Sequence, residues 1–297
     1  MRLSQLRVLL AVAEHGGFTA AAEQTGMSQP HVSRAVAALE TDLGTALLVR
    51  RRDGVALTEA GQRAVARARE AVRHFDLIRP DVAAAAGQVT GSLRLASLPS
   101  ATGTLIAARL RTFTDRYPQV RVHLLEGFGP EIRGWLKNGA AEIGVVTLPA
   151  PGLHTVPLGA DEMVALLPRG HALTAADTVT VQALAREPFI LSSGGCRPVI
   201  LDAAHRADAT LDVAYEAGEL SAIVAMVGSG LGVSIVPTLG LPADLGGAVT
   251  RPLDPPISRA LALAVASLDD CAPAARAFLD HVQGPCSGAG NHTGSSG

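Results

Sequence analysis

The stretch Phe18 to Ala37, FTAAAEQTGMSQPHVSRAVA, constrains the fold of this chain more tightly than any other. It reads as two short helices joined by a sharp turn. Thr19 is placed to cap the first helix, which continues through Ala20, Ala21, Ala22, Glu23 and Gln24. Gly26 supplies the positive φ that such a turn wants. Ser28 is an N-cap candidate for the second helix, and Pro30 fits its first turn, where a missing N–H costs little. Ala21, Ala22, Met27, Val32 and Ala35 are small or apolar and can close the angle between the helices. The second helix then turns Gln29, His31, Ser33 and Arg34 to solvent. That face is rich in donors and almost free of acid, which suits a DNA major groove.

Those twenty residues alone would equally describe an ordinary helical hairpin with a polar outer face. The flanks argue otherwise. Upstream, Leu3, Leu6, Leu9, Leu10 and Val12 form an apolar stripe for a bracing helix. Downstream, Leu39, Leu43 and Leu47 continue the packing. Arg50-Arg51-Arg52-Asp53-Gly54-Val55-Ala56-Leu57-Thr58 then reads as a basic two-stranded wing with a glycine turn.

Together these pieces resemble the winged helix-turn-helix of LysR-type transcriptional regulators. The match runs without gaps through Phe18-Thr-Ala-Ala-Ala, Ser28-Gln-Pro-His-Val-Ser-Arg, Leu39-Glu, Leu43-Gly, Leu47-Leu-Val-Arg50 and Leu57-Thr-Glu-Ala-Gly61. The chain departs from the family pattern at three places. His31 replaces a small residue, Leu48 replaces the usual Phe, and Asp53 stands where a wing Arg is common, so Arg52 is expected to take that role. The resemblance implies contacts to double-stranded promoter DNA from Thr19, Ser28, Gln29, Pro30, His31, Ser33, Arg34, Arg50 and Arg52. It also implies a homodimer or tetramer, a small-molecule effector and RNA polymerase as partners.

A net charge of −2 fits a DNA binder poorly until its distribution is read. Residues 1–80 hold 11 Arg against 8 acids, a balance of +3, and the remainder holds 14 Lys and Arg against 19 acids, a balance of −5. Positive charge is thus concentrated where phosphate contacts are expected. Although 48% of residues are hydrophobic, no apolar run approaches a membrane span. The run Val8 to Ala13 behind Arg2 and Arg7 is too short for a secretory signal, so a cytoplasmic protein is expected. Cys196, Cys271 and Cys286 lie too far apart for a zinc site or a disulfide framework.

Residues 1–60 are expected to form the winged domain, and 58–87 one long helix capped by Thr58. Val65, Val72 and Phe75 fall at roughly heptad spacing with Ala68 between them, so a second copy of the helix is the simplest partner. Pro80 is expected to kink that helix or end it early. After a hinge at Gly87 to Gly91 the period changes to alternating strands and helices, which implies βαβ units and a parallel sheet. The α/β architecture expected over 91–284 is two-lobed and resembles a periplasmic-binding-protein-like effector domain. Lobe I spans about 91–160 and 267–284, and lobe II about 161–266. Residues 285–297, rich in Gly and Ser, are expected to be disordered.

In open parallel sheets, ligands sit beyond the carboxyl ends of strands and beside helix N-termini. Ser97-Leu-Pro99-Ser100-Ala-Thr102 and Ser192-Ser193-Gly194-Gly195-Cys196-Arg197 both follow strands and open helices, and Arg197 adds a full charge. Phe128 and Glu219 lie just beyond other strands. The resemblance implies that this cleft holds a small inducer, often a carboxylate. Expected contacts are Ser97, Pro99, Ser100, Thr102, Phe128, Ser193, Gly195, Cys196, Arg197 and Glu219. The plainer alternative is that these hydroxyls only cap helices. Cys196 lies near the reactive cysteine of the family's peroxide sensors, but their second cysteine has no counterpart here.

Gly228-Ser-Gly-Leu-Gly232 follows a helix and enters a strand, the reverse of a dinucleotide loop. No His-Glu-x-x-His, P-loop, nucleophile elbow or metal-spaced Cys/His cluster is present, so neither catalysis nor a cofactor or metal is expected. The rival readings are a solute-binding protein of similar two-lobed fold, and an enzyme using the cleft for chemistry.

Overall fold

The computed structural model of the chain describes residues 1–51 and 54–284, with the backbone alone at Arg50 and Arg51. Arg52, Asp53 and the 285–297 segment, for which a wing contact and disorder were expected, lie outside the described residues. The chain divides after Gln88 into two compact units.

The first unit runs α1 (Leu3–His15), α2 (Phe18–Thr25), α3 (Gln29–Leu43), β1 (Leu48–Arg51), β2 (Gly54–Leu57) and α4 (Glu59–Ala85). Val8, Val12, Ala21, Ala22, Val32 and Val36 form one core cluster, and Leu9, Leu39, Leu47 and Val65 a second. Burial of each Val or Leu side chain is worth roughly 1.5–3 kcal/mol, so these clusters hold the small unit together. Gly26 ends α2 at φ 66, in the left-handed region. The α2 helix begins two residues earlier than expected, with extended Gly17 as its cap, so Thr19 sits inside the first turn and caps nothing. Two apolar residues expected in the core, Met27 and Leu43, are exposed, because each falls where the chain leaves its helix.

Antiparallel β1 and β2 make the expected wing, with Arg50 opposite Val55. Its base is tied down by Glu40, whose carboxylate accepts from the N–H groups of Leu47 at 2.7 Å and Leu48 at 3.1 Å. Thr58 caps α4 by accepting from the Gly61 N–H at 2.9 Å, and its hydroxyl donates to Ala46 O at 2.9 Å. At position 61 only glycine fits, since a Cβ there would stand 2.0 Å from the Leu47 carbonyl oxygen.

In the long helix, Pro80 does not bring an early end, and part of the expected stripe is covered. The helix continues past Pro80 to Ala85, since on an exposed helix water can satisfy the carbonyl that proline cannot. Val65 and Ala68 are buried in this unit's own core, so they are not part of a free stripe. Of the expected stripe Phe75 is exposed, at 53%, and it is joined by Ile78 and Val82 at 54% and 68%.

The second unit opens with β3 (Gly91–Ser97), α5 (Pro99–Ala101), a π turn (Thr102–Ile106), α6 (Ala107–Arg116), β4 (Val120–Glu126), α7 (Gly129–Asn138) and β5 (Ile143–Thr147). The helix expected without interruption from Leu98 is broken at the π turn. There the Thr102 hydroxyl donates to Leu98 O at 3.2 Å and the Thr104 hydroxyl to Ser100 O at 2.8 Å, competing for helical carbonyls. It continues with β6 (His154–Pro168), a 3₁₀ turn (Ala172–Ala175), α8 (Val181–Leu184), β7 (Phe189–Ser192), α9 (Arg197–Arg206) and β8 (Val213–Ala217). It closes with α10 (Leu220–Gly228), β9 (Ser234–Pro237), β10 (Ala248–Val265) and α11 (Pro273–Gln283).

A six-stranded sheet has the order β4-β3-β5-β10-β6-β9, and β7 pairs with β8 separately. The strand β3 is parallel to β4 and β5, but β10 is antiparallel to β5 and β6, and β6 to β9. The sheet is therefore mixed, against the expectation of a parallel one. Its centre is the long pair of β6 and β10, matched from Ala248 opposite Pro168 to Val265 opposite His154. Their most apolar stretches are Met163–Leu167 and Leu261–Val265. The remainder alternates with polar residues and prolines.

Candidate functional site

In the first unit α3 leaves Ser28, Gln29, Pro30, His31 and Arg34 exposed and Ser33 half-buried. Ser28 is the N-cap by backbone conformation, but its side chain makes no cap hydrogen bond. The Arg34 Nε donates to Pro30 O at 3.2 Å, which holds the stem along the helix and directs the guanidinium outward. The acids of α3 are engaged elsewhere: Glu40 holds the wing base, and Asp42 lies 2.6 Å from the Met1 ammonium. Thr19 and Gln29 line a shallow groove with Gly17, Phe18, Ala20, Gly54 and Val55, where α2, α3 and the wing meet. Arg50 lies on β1. This surface has the donors, positive charge and helix exposure that groove entry needs.

The second unit holds a cavity of about 170 Å³. Its walls are Leu98 and Pro99 at the start of α5, Phe128 before α7, Leu220 and Ile223 of α10, and Ile235 to Pro237 of β9. Ser100, Ser192, Gly195, Cys196, Glu219, Ser221 and Arg259 also line it. Phe128 reaches across so closely that a Cβ on Gly194 would sit 2.8 Å from its ring.

The chemistry of the floor comes from Arg259, 1% exposed. Its Nε donates to Asp161 Oδ1 at 2.8 Å and its Nη2 to Asp161 Oδ2 at 2.8 Å, a bidentate pair between directly opposed residues of β10 and β6. Nη1 donates to Cys196 Sγ at 3.2 Å and Nη2 to Ser100 Oγ at 3.4 Å. Asp161 also accepts from the Leu239 N–H at 3.1 Å. Arg259 keeps its charge: burial works against it, and the hydrogen bond and charge of Asp161 more than offset that. Burial pushes the Cys196 thiol up from its ordinary value, and the neighbouring Arg259 only partly opposes this, so the sulfur stays protonated near neutral pH.

Of the ten effector residues expected from sequence, Pro99, Ser100, Phe128, Gly195, Cys196 and Glu219 line the cavity. The other four do not. Ser97 is fully buried and donates to Leu98 O at 3.2 Å, and Thr102 donates to the same carbonyl. Ser193 is exposed, and Arg197 is turned to Glu216 at 2.9 Å. Sequence reading missed Arg259 and Asp161. A signal existed: in β10 the alternating inward positions Ile257, Arg259 and Leu261 are all buried, and Arg259 shares their parity. Among the described residues, no group of three His, Cys, Asp or Glu could hold a metal, and no helix is long and apolar enough to cross a membrane.

Comparison with known proteins gives a consistent result for both units. Residues 3–62 match the family of bacterial regulatory helix-turn-helix proteins of the lysR type, and residues 86–286 match the LysR substrate binding domain. The chain is 36% identical over 283 residues to the probable transcriptional regulator LrrA of Synechococcus elongatus, covering 94% of this chain and 96% of that one. It is 33% identical over 281 residues to a probable hydrogen peroxide-inducible genes activator of Streptomyces viridosporus, covering 89% and 87%. Among solved structures, a variant of full-length OxyR from Pseudomonas aeruginosa superposes with a TM-score of 0.73 at 26% identity, covering 95% of this chain and 98% of that one.

Proposed function

This chain belongs to the LysR family of transcriptional regulators, and from that premise we propose that promoter binding by its first unit is controlled by a small molecule in the cavity of its second. The protein is a DNA-binding regulator with an effector domain, of a family that is not enzymatic. The finer reading assigns base contacts to Gln29, His31, Ser33 and Arg34 on α3 and phosphate contacts to the wing, with the protein acting as a homodimer or tetramer alongside RNA polymerase. The exposed stripe Phe75, Ile78 and Val82 on α4 supports pairing of two copies.

The observation that carries the effector reading is Arg259. Standing on the central strand pair, it touches the start of one helix through Ser100 and of another through Cys196. A molecule placed beside it contacts both lobes, and its binding energy biases their relative angle. In a reporter assay, Ser100→Ala weakens the inducer response. Thr102→Val, whose hydroxyl only bonds Leu98 O, leaves it unchanged, and neither alters DNA affinity without inducer. An unchanged dose response in Ser100→Ala removes the cavity from the effector site.

The sequence-based expectation of a small anion counted Arg197 as a free cation, and Glu216 now occupies it. Hydrogen peroxide, named for one relative, is not the effector we propose. The Cys196 thiol is held protonated, and Asp161 already neutralises the guanidinium that would favour a thiolate.

A further inference from the structure

We infer, resting on the reading of this cavity as the effector site, that it takes an uncharged molecule of about benzene's size bearing a hydrogen-bond acceptor, and that the Arg259–Asp161 pair sets that choice.

Size comes first. A cavity of about 170 Å³ is close to the roughly 150 Å³ apolar cavity that accommodates benzene. The apolar walls Leu98, Phe128, Ile223 and Ile235 suit a flat or compact hydrocarbon body.

Charge comes next. Arg259 is the one cation among the described residues lining the cavity. Its two bonds to Asp161, both at 2.8 Å, compensate it fully, with the two side chains 1% and 4% exposed. Glu219 adds a carboxylate at the start of α10. Helix N-termini contribute at most about half a positive charge each, which that carboxylate offsets at its own helix. An anionic ligand would therefore enter a mostly apolar volume with no unpaired cation to meet it. To obtain one it would have to draw Arg259 away and leave Asp161 buried with only the Leu239 N–H at 3.1 Å. A cationic ligand meets the Arg259 guanidinium on the floor with Asp161 spent, and Glu219, the one carboxylate among the described residues lining the cavity, is exposed to water that screens it. A neutral ligand incurs neither cost.

The donor inventory gives the acceptor. Of the five N–H bonds of a guanidinium, two go to Asp161, one to Cys196 and one, long at 3.4 Å, to Ser100. One Nη1 hydrogen remains, and the long Ser100 contact is readily exchanged. A ligand carbonyl or hydroxyl oxygen satisfies both.

The test uses three probes of one shape and different charge: benzamide, benzoate and benzamidine, titrated calorimetrically into the full-length protein. Benzamide is expected to bind at least tenfold more tightly than either ion. In Asp161→Asn, which leaves Arg259 uncompensated, benzoate is expected to gain at least tenfold and overtake benzamide. Should that variant not fold, the wild-type ranking decides. Benzoate binding wild type as tightly as benzamide overturns the inference. If that benzoate binding is lost in Ser221→Phe, which fills the cavity mouth, the cavity still stands as the effector site and only the charge rule falls. Absence of any Ser221→Phe-sensitive binding by the three probes at millimolar concentration overturns both.

Discussion

The two units use arginine in opposite ways. In the first, Arg34 projects from an exposed helix face from which the acids have been drawn off to other partners, so its charge is available to phosphates and bases. In the second, Arg259 is buried, its charge is cancelled by Asp161 across the β6–β10 pair, and only its directional N–H groups are left to act. An exposed arginine recognises a polyanion, whereas a buried and compensated one acts as a rigid multi-donor hub. The same side chain is thus left available for long-range attraction in one unit and restricted to short-range geometry in the other.

The largest test of this contrast is removal of the compensating acid. Asp161→Ala leaves a buried unpaired guanidinium and should cost about 3–5 kcal/mol in the stability of the second unit, read by denaturant unfolding. A loss under about 1 kcal/mol would mean that water reaches the pair. Next comes assembly. Glu at both Phe75 and Ile78 should weaken dimerisation by about 100-fold, some 2.8 kcal/mol, in sedimentation, while the head stays folded. Val65→Glu should instead unfold the head, since Val65 is only 3% exposed within its core. If the Phe75 and Ile78 variant remains dimeric, the main interface lies elsewhere.

Smaller effects follow at the DNA surface. Arg34→Ala should lose about 1–3 kcal/mol on specific DNA and little on random DNA, if it makes a bidentate base contact. Equal losses on both would make Arg34 a phosphate contact. Arg50→Ala should weaken both and lower the salt slope by about one unit. The smallest effect concerns Cys196. Its folded-state pKa is raised by burial, so thiolate is scarce at neutral pH and alkylation by iodoacetamide should be slow at pH 7 and should still be rising with pH above 9.0, where an ordinary thiol levels off. The linked stability has the same sign: it is complete below the unfolded value of 9.0 and falls as pH rises through the higher folded value. Rapid modification at pH 7 would show that the site opens readily.

Legibility in the sequence followed the range of the interactions. In the first unit, Gly26 at the turn, Thr58 at the cap and the apolar positions Val32 and Leu39 are local signals, and the structure carries each of them. The Thr19 cap was misplaced because an extended glycine can open a helix as well as a hydroxyl can. The Val65 stripe was assigned to a partner because periodicity reports that a face is apolar, not what covers it.

Sequence alone determined the order of helices and strands, the winged head and the family, because helix periodicity, caps and turn residues act over a few positions. It also marked the polar starts of α5 and α9 as candidate ligand positions. Only the tertiary structure decided that Ser100, Cys196 and Arg259 meet in one cavity with Asp161 paired to Arg259, and that Arg197 faces Glu216 instead. That meeting depends on the register of β6 against β10, which places Arg259 opposite Asp161 although 98 positions separate them in the chain. Strand register is set by pairing and burial across the whole sheet, and no window of neighbouring residues contains it.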